Sequence, residues 1–281
     1  MREVLNIAVL VFAVSSMLSV GLAHEWREIL APLRAVRPVL RALVANFVLV
    51  PLLAFVVLKV LVLERPLEIG LFLVACAAGA PFLIKIAQVA RTDVALGTTL
   101  LIVLLPATVV YLPIVVPLAL PAAEVNPLAI AMPLVLTMLL PLTLGLVARA
   151  NWAGFAKRLQ PLMGSLSTIA LVIVVVATFV TSLTAILPIF RTSAILGAII
   201  VLAGAFAIGY AIGGPGHASR EVLALGTAQR NIAAATVVAT QAVNDPGTTS
   251  MVVTMSLLGL AMLFPVATLL RRRRQTARPV S

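Results

Sequence analysis

Side chains that commonly carry catalysis or bind metals are scarce in this sequence. Cys76 is the only cysteine, which excludes a disulfide framework and a cysteine-based metal site. The two histidines, His24 and His217, lie in predicted loops and form no ligand cluster. Asp and Glu number only 9 and lie almost wholly at the ends of apolar segments, so no carboxylate pair is found. We therefore predict neither an enzyme nor a resident metal or cofactor.

Charged and aromatic residues are also few, at 10% and 5% of the 281 residues, whereas hydrophobic residues make up 62%. A soluble domain of this length has no need for so much apolar surface, and the composition predicts an all-α integral membrane protein. The net charge of +11 could indicate a nucleic-acid partner. We predict no such partner, because the charges lie between or after apolar segments, where membrane topology accounts for them.

Apolar segments long enough to cross a bilayer recur along the chain. Nine can be counted, near 4–22, 40–63, 66–90, 94–120, 127–148, 161–189, 192–213, 222–243 and 248–270. The loops assigned to the inside hold most of the 20 Lys and Arg residues. This asymmetry predicts a multi-pass protein of the bacterial inner membrane, with its N-terminus outside and its C-terminus in the cytoplasm. Residues 271–281 would form a basic cytoplasmic tail at the inner leaflet.

The third and eighth segments each carry a feature that interrupts a membrane helix. The third contains Ala-Ala-Gly-Ala-Pro at 77–81, and the eighth contains Gln-Arg-Asn at 229–231. Because the two segments are five apart, they cross the membrane in opposite directions. Interrupted segments in two oppositely oriented halves indicate the binding site of a secondary transporter.

Arg230 falls near the middle of the eighth segment. A charged side chain there costs roughly 3 kcal/mol on insertion scales and usually faces a cavity or the interior of a bundle. On a continuous helix Arg230 would share one face with Thr227 and Asn231, next to Gln229. These residues predict an anion-binding site. The alternative is that Arg230 donates to a backbone carbonyl and only holds the bundle together.

Other polar side chains also lie inside apolar segments. Lys85 shares a helix face with Gln88, and it either faces a cavity or snorkels to the inner interface. Asn46 lies in the middle of the second segment, where it either joins the binding site or bonds to a neighbouring helix. Ser15 and Ser19 form a small polar stripe, which predicts a helix-packing face.

Three stretches carry a resemblance to a known family: Leu225–Ala235, Arg91–Leu96 and Ala42–Leu52. The first resembles a helix-crossover motif of the bile acid:sodium symporter family, which reads Glu-x-Gly-x-Gln-Asn-Ser-Gly-Leu-Ala. The second resembles that family's Gly-Asp/Asn-x-x-Leu stretch, and the third its Gln-x-x-x-x-Pro-Leu stretch. Gln229 matches the crossover Gln, and Asn46 takes the place of the earlier Gln.

This resemblance implies one transmembrane transport domain over 1–281. It would hold two inverted repeats, at about 1–120 and about 127–270, with crossing discontinuous helices and a division into a core and a panel domain. Alternating access would proceed by an elevator-like or rocking movement. A nine-helix form of the family matches the count of apolar segments.

The chain departs from the family at the positions that resemble sodium ligands. Leu83 and Ile84 stand where the family has Ser-Asn, and Leu225 stands where it has Glu. Lys85 follows the lost pair, and Arg230 replaces an Asn. A hard cation needs oxygen ligands, usually with a carboxylate among them. We therefore predict that Lys85 and Arg230 substitute for a coupling cation and that transport does not require sodium.

The sequence thus predicts a secondary active transporter of a small organic anion within the lipid bilayer. Its substrate-binding residues would be Arg230, Gln229, Asn231, Asn46 and Thr227. Within transport, the alternatives are a sodium-coupled symporter of the same family and a facilitator or exporter. Outside transport, the alternative is a membrane sensor or partner subunit in which the helix breaks are vestigial.

Overall fold

The computed structural model describes residues 2–25, 36–119, 126–189 and 193–276, and every regular element within these ranges is helical. In chain order the helices are α1 (Arg2–Ala23), α2 (Val36–Val60), α3 (Arg65–Cys76), α4 (Phe82–Ala90), α5 (Val94–Ala119), α6 (Pro127–Asn151), α7 (Ala153–Ile189), α8 (Ser193–Ile212), α9 (His217–Ala228), α10 (Ile232–Val237) and α11 (Pro246–Thr276). One π-helical stretch lies inside α2, one lies inside α6 and one continues α10, at Ala45–Leu49, Val135–Leu139 and Val238–Val243 respectively.

The helices end at the polar and turn residues that separate the apolar segments. The side chains of Asp93, Asn126 and Asp245 each accept a hydrogen bond from a backbone N–H in the first turn of the following helix. These bonds satisfy amide groups that have no partner within the helix. Arg91 and Asn244 adopt left-handed conformations, with φ of 53° and 52°, just after the preceding helical stretches end. The polar residues between these apolar segments therefore mark real helix ends.

Within the described part of the chain, six helical stretches are long and apolar enough to cross a membrane: α2, α5, α6, α8, the α9–α10 stretch to Val243, and α11 to Arg273. This finding confirms an all-α integral membrane protein. The count of nine crossings stays a prediction, because α3 and α4 are each too short to cross a membrane alone.

The predicted basic tail begins within a helix. The last helix, α11, continues through Arg271–Arg274 as far as Thr276. Arginine is a good helix former and no proline intervenes, so nothing in the sequence ends the helix at 270. Residues 277–281 lie outside the described part of the chain.

Two bundles of closely packed helices surround the interrupted segments. In one bundle α1 packs on α6 and α7. A Cβ atom at Gly21 in α1 would lie 2.9 Å from the Cα of Gly145 in α6, so the two backbones almost touch. In the other bundle α3 packs on α11, and α8 packs on α9 and α2. The half-helices α3 and α9 thus belong to the second bundle, whereas α10 packs on α1 of the first bundle as well as on α11.

Both predicted interruptions are present. The first break, 77–81, separates α3 from α4, and the second break, 229–231, separates α9 from α10. Four half-helices therefore end or begin in the interior of the protein. Each of them leaves backbone groups that need partners outside its own helix.

The prediction that Thr227, Arg230 and Asn231 share one helical face is wrong. The helix α9 ends at Ala228, and both Arg230 and Asn231 lie in the second break. The backbone N–H of Asn231 donates to Ala77 O of the first break at 2.8 Å rather than to the preceding helical turn. A tertiary hydrogen bond has thus replaced the helical one.

Candidate functional site

The two breaks contact each other directly. In addition to its backbone bond, Asn231 donates from Nδ2 to Gly79 O at 3.1 Å. Gly79 has φ of +74°, and a Cβ atom there would clash with the backbone of Leu105 in α5. Only glycine adopts this conformation and allows this approach without strain. Thr108 of α5 completes the junction, because its hydroxyl accepts from Ala78 N and donates to Ala78 O.

Arg230 is fully enclosed at this junction, with 2% of its surface exposed. Its guanidinium donates four hydrogen bonds, from Nε to Val74 O at 3.2 Å, from Nη2 to Ala75 O at 2.6 Å, and from Nη1 to Thr227 O at 2.7 Å and Asn46 Oδ1 at 2.8 Å. We call these four acceptors the oxygen cage. Since a guanidinium has five N–H groups, four of the five are committed to neutral oxygens of the protein.

The cage lies where two half-helices end. Val74 and Ala75 belong to the last turn of α3, and Thr227 belongs to the last turn of α9. The final carbonyls of a helix lack partners within it and carry the negative end of the helix dipole. One buried cation therefore neutralises two converging helix C-termini. This accounts for an arginine at membrane depth without a carboxylate among its hydrogen-bond partners.

Asn46 is the side-chain member of the cage. It lies in the π-helical stretch of α2 and has no exposed surface. Its Nδ2 donates to Ala42 O at 2.9 Å and to Thr227 Oγ1 at 3.3 Å, which leaves Oδ1 to accept from Arg230. A π-helical turn shifts the helical register locally and is frequent at functional sites. The structure thus brings the predicted site residues Asn46 and Thr227 into contact with the guanidinium of Arg230.

A cavity of about 640 Å³ lies against the other side of the breaks. It is bounded by α1 and α7 of one bundle and by α4, α10 and α11 of the other. Its walls combine apolar side chains, such as Phe12 and Leu171, with the polar side chains of Lys85, Gln88 and Gln229. Such a mixture suits a solute that has both a polar group and an apolar body.

Lys85 is the exposed cation of this cavity. Its Nζ donates to Thr168 Oγ1 of α7 at 3.3 Å, while the Thr168 hydroxyl donates to Gly164 O at 2.9 Å. Lys85 and Gln88 lie on the same exposed face of α4 and both line the cavity. Of the two orientations considered for Lys85, the structure therefore has the one that faces the cavity.

Some cavity residues escape prediction from the sequence. Gln160 of α7 donates from Nε2 to Ser19 Oγ of α1 at 3.2 Å, and both line the cavity with Thr168. The predicted packing role of Ser19 accounts for its contact with Gln160 of α7 but not for its place in the cavity lining. Gln160, Gly164 and Thr168 recur at four-residue spacing, and this stripe of polar and small residues could have indicated the wall.

The positions that resemble sodium ligands are filled by apolar packing. Leu83 and Leu225 are 1% and 0% exposed. A Cβ atom at Gly226 would lie 3.0 Å from Leu83 Cδ2, so Leu83 packs closely against α9. Ile84 lines the cavity wall. These side chains offer no oxygen to a cation, and the described residues hold no cluster of three His, Cys, Asp or Glu that could bind a metal.

The electrostatic character of the cavity is positive. Among the described residues that line it, Lys85 and Arg230 are basic and none is Asp or Glu. The N-termini of α4 and α10 begin at the two breaks beside it, and helix N-termini carry partial positive charge. The Asn231 side chain accepts from Ala234 N, so one amide of α10 is already paired. A carboxylate or similar anion is the chemistry that such surroundings favour.

Comparison with known proteins agrees with this architecture. The sequence profile of the Sodium Bile acid symporter family matches residues 9–189, from α1 to the end of α7. A comparison with curated proteins finds no match. The matched region includes the first break, Lys85 and Asn46, and it covers more than half of the chain. Family members are membrane transporters rather than enzymes. On this match, the chain belongs to the Sodium Bile acid symporter family.

Proposed function

We propose that this membrane transporter carries a small organic anion by alternating access and does not require sodium. The observation that supports it best is the exposed ammonium of Lys85 in a cavity of about 640 Å³ without Asp or Glu among its described lining residues. A cation in a partly apolar cavity attracts an anion and is poorly suited to a cationic substrate.

The anionic group of the substrate would bind to Lys85, with Gln88 and Gln229 as hydrogen-bond donors nearby. Gln160 of α7 also lines the cavity and supplies a further polar group. The apolar body would lie against walls such as that formed by Phe12 and Leu171. Arg230 is left out of the direct contacts because four of its five N–H groups are already bonded within the oxygen cage.

The proposal that transport does not require sodium rests on the side chains around the two breaks. Leu83 and Leu225 supply no oxygen, and Arg230 already holds the carbonyl groups of two helix ends. A sodium ion about 5 Å from this guanidinium would be repelled by roughly 3 kcal/mol at an effective dielectric of 20. That repulsion weakens sodium binding about a hundredfold.

Part of the polar lining of the cavity lies near one end of several helices. His24 at the end of α1, Gln88 in the last turn of α4 and Gln160 in the first half of α7 all line it. The loop charges assign these helix ends to the inner side of the membrane. We therefore interpret the structure as an inward-facing state. Movement of α1 and α7 relative to α4, α10 and α11 would close this route and open another on the outer side.

The test is a ligand screen followed by transport. Purified protein is screened for thermal stabilisation by carboxylates and sulfonates in sodium or in choline buffer, and the best ligand is then labelled for uptake into proteoliposomes. We expect saturable uptake that is equal in both buffers. Steep dependence on external sodium would establish a coupled symporter instead. Binding without uptake would favour a sensor or partner subunit, and no binding by either anion class would overturn the proposal.

A further inference from the structure

Arg230 has the surroundings of a bound cation rather than those of a side chain that awaits a ligand. Its four acceptors are three backbone carbonyls and one amide oxygen, which come from α3, α9 and α2. No carboxylate is among these four partners. Neutral carbonyl and amide oxygens are ligands that also suit free monovalent cations and guanidinium.

We propose that the oxygen cage is a monovalent-cation site and that the Arg230 guanidinium is its permanently tethered occupant. The cage joins three segments that are distant in sequence, since the bonds from Arg230 reach 156 residues back to Val74 and 184 back to Asn46. The cation thereby fixes the C-terminal ends of α3 and α9 against each other. Arg230 is a positioning residue in this view: it holds both breaks in register for the cavity next to them.

A free cation would reach the oxygen cage from the cavity if the Arg230 side chain were shortened. Arg230 is one of the residues that line the large cavity, so a shortened side chain leaves a channel from the cavity into the cage. Each of the four acceptors would then lose its bond to the guanidinium, at the negative ends of two helix dipoles; Val74 O alone would keep a backbone donor, Ala77 N–H. A free planar cation of the same shape can restore these bonds. The ligand class is therefore the guanidinium ion, with sodium and potassium as smaller alternatives.

This inference deepens the proposed function. The cage itself is argued from the structure, and only its effect on transport rests on the proposed function. The cage would supply from within the chain the positive charge that a coupling ion would otherwise bring. Its test measures the stability of purified protein without substrate. Failure of the cage and failure of anion transport are therefore distinguishable.

The experiment compares the thermal unfolding of Arg230→Ala in dilute guanidinium chloride, below denaturing concentrations, with that in choline chloride. We expect the variant to unfold roughly 10 °C below the wild type. Guanidinium at about 10 mM should recover at least half of this loss in a saturable manner. The matched control is Thr108→Val, which breaks the uncharged bonds of Thr108 to Ala78 in the first break. This control should be destabilised and should show no recovery.

Recovery by sodium or potassium but not by choline would also support a monovalent-cation site. Equal stability of Arg230→Ala and the wild type would overturn the proposal, as would a loss that none of the three cations reverses. Arg230→Lys and Arg230→Met provide a second test should Arg230→Ala not fold. The two replacements have similar lengths but differ in charge. Lys should unfold several degrees above Met in detergent, and the reverse order would show that the charge is not what the cage holds.

Discussion

Substitution of Lys85 by methionine is the most direct test of the anion site. The replacement keeps a long flexible side chain on α4 and removes the ammonium group. In the structure Lys85 is exposed and lines the cavity; its Nζ makes one 3.3 Å hydrogen bond, to Thr168 Oγ1, and lies 5.9 Å from the centre of the Phe82 ring. The variant should therefore fold with nearly unchanged stability, because a single exposed polar contact contributes little to folding.

The loss of binding energy follows from the position of the charge. Two unit charges about 4 Å apart attract by roughly 1 kcal/mol in water and roughly 4 kcal/mol at an effective dielectric of 20. The Lys85 ammonium lies in a cavity with partly apolar walls, so its dielectric environment is between these limits. We expect a loss of about 2 kcal/mol, which weakens anion binding roughly thirtyfold.

The assay is the equilibrium affinity of the purified protein for its best carboxylate or sulfonate ligand at moderate ionic strength. Lys59→Met is the matched control, because Lys59 lies in the last turn of α2 against the Phe55 ring and does not line the cavity. The control should retain wild-type affinity, and Lys85→Arg should retain most of it. An affinity of Lys85→Met within threefold of the wild type would refute the assignment of the anion to Lys85.

The other predictions concern the cage, the topology and the coupling. Asn46→Leu removes the amide acceptor of Arg230 and should lower stability by roughly 2–4 kcal/mol, measured by thermal unfolding; a loss below about 1 kcal/mol would contradict the cage. After Cys76 is replaced by alanine, a cysteine at Asp245 should react with an impermeant reagent in intact cells and one at Arg158 only after permeabilisation; the opposite pattern would reverse the predicted topology. Replacement of sodium by choline should change uptake less than twofold, and a saturable sodium dependence would show that a cation site persists elsewhere.

The breaks themselves were predictable because their causes are local. Gly79 and Pro81 both lower helix propensity in the first break, and that effect needs no knowledge of the fold. The polar cluster that contains Arg230 could likewise be recognised, since a charge at that depth is costly wherever the helix packs. The prediction that Thr227 and Asn231 share a helical face is wrong because its outcome depends on tertiary contacts and not on local sequence. It assumed a continuous helix, whereas tertiary hydrogen bonds end α9 at Ala228.

The sequence by itself determined that the chain is an integral membrane protein with interrupted helices, because transfer energies and helix propensities add up residue by residue. Only the tertiary structure decided where the two cations inside apolar segments lie. Arg230 finds carbonyl partners at Val74 and Ala75, more than 150 residues away, while Lys85 on a neighbouring half-helix faces the open cavity. The two side chains look alike as charges in apolar segments. Their surroundings differ because the terminal carbonyls of two helices converge on Arg230 and not on Lys85.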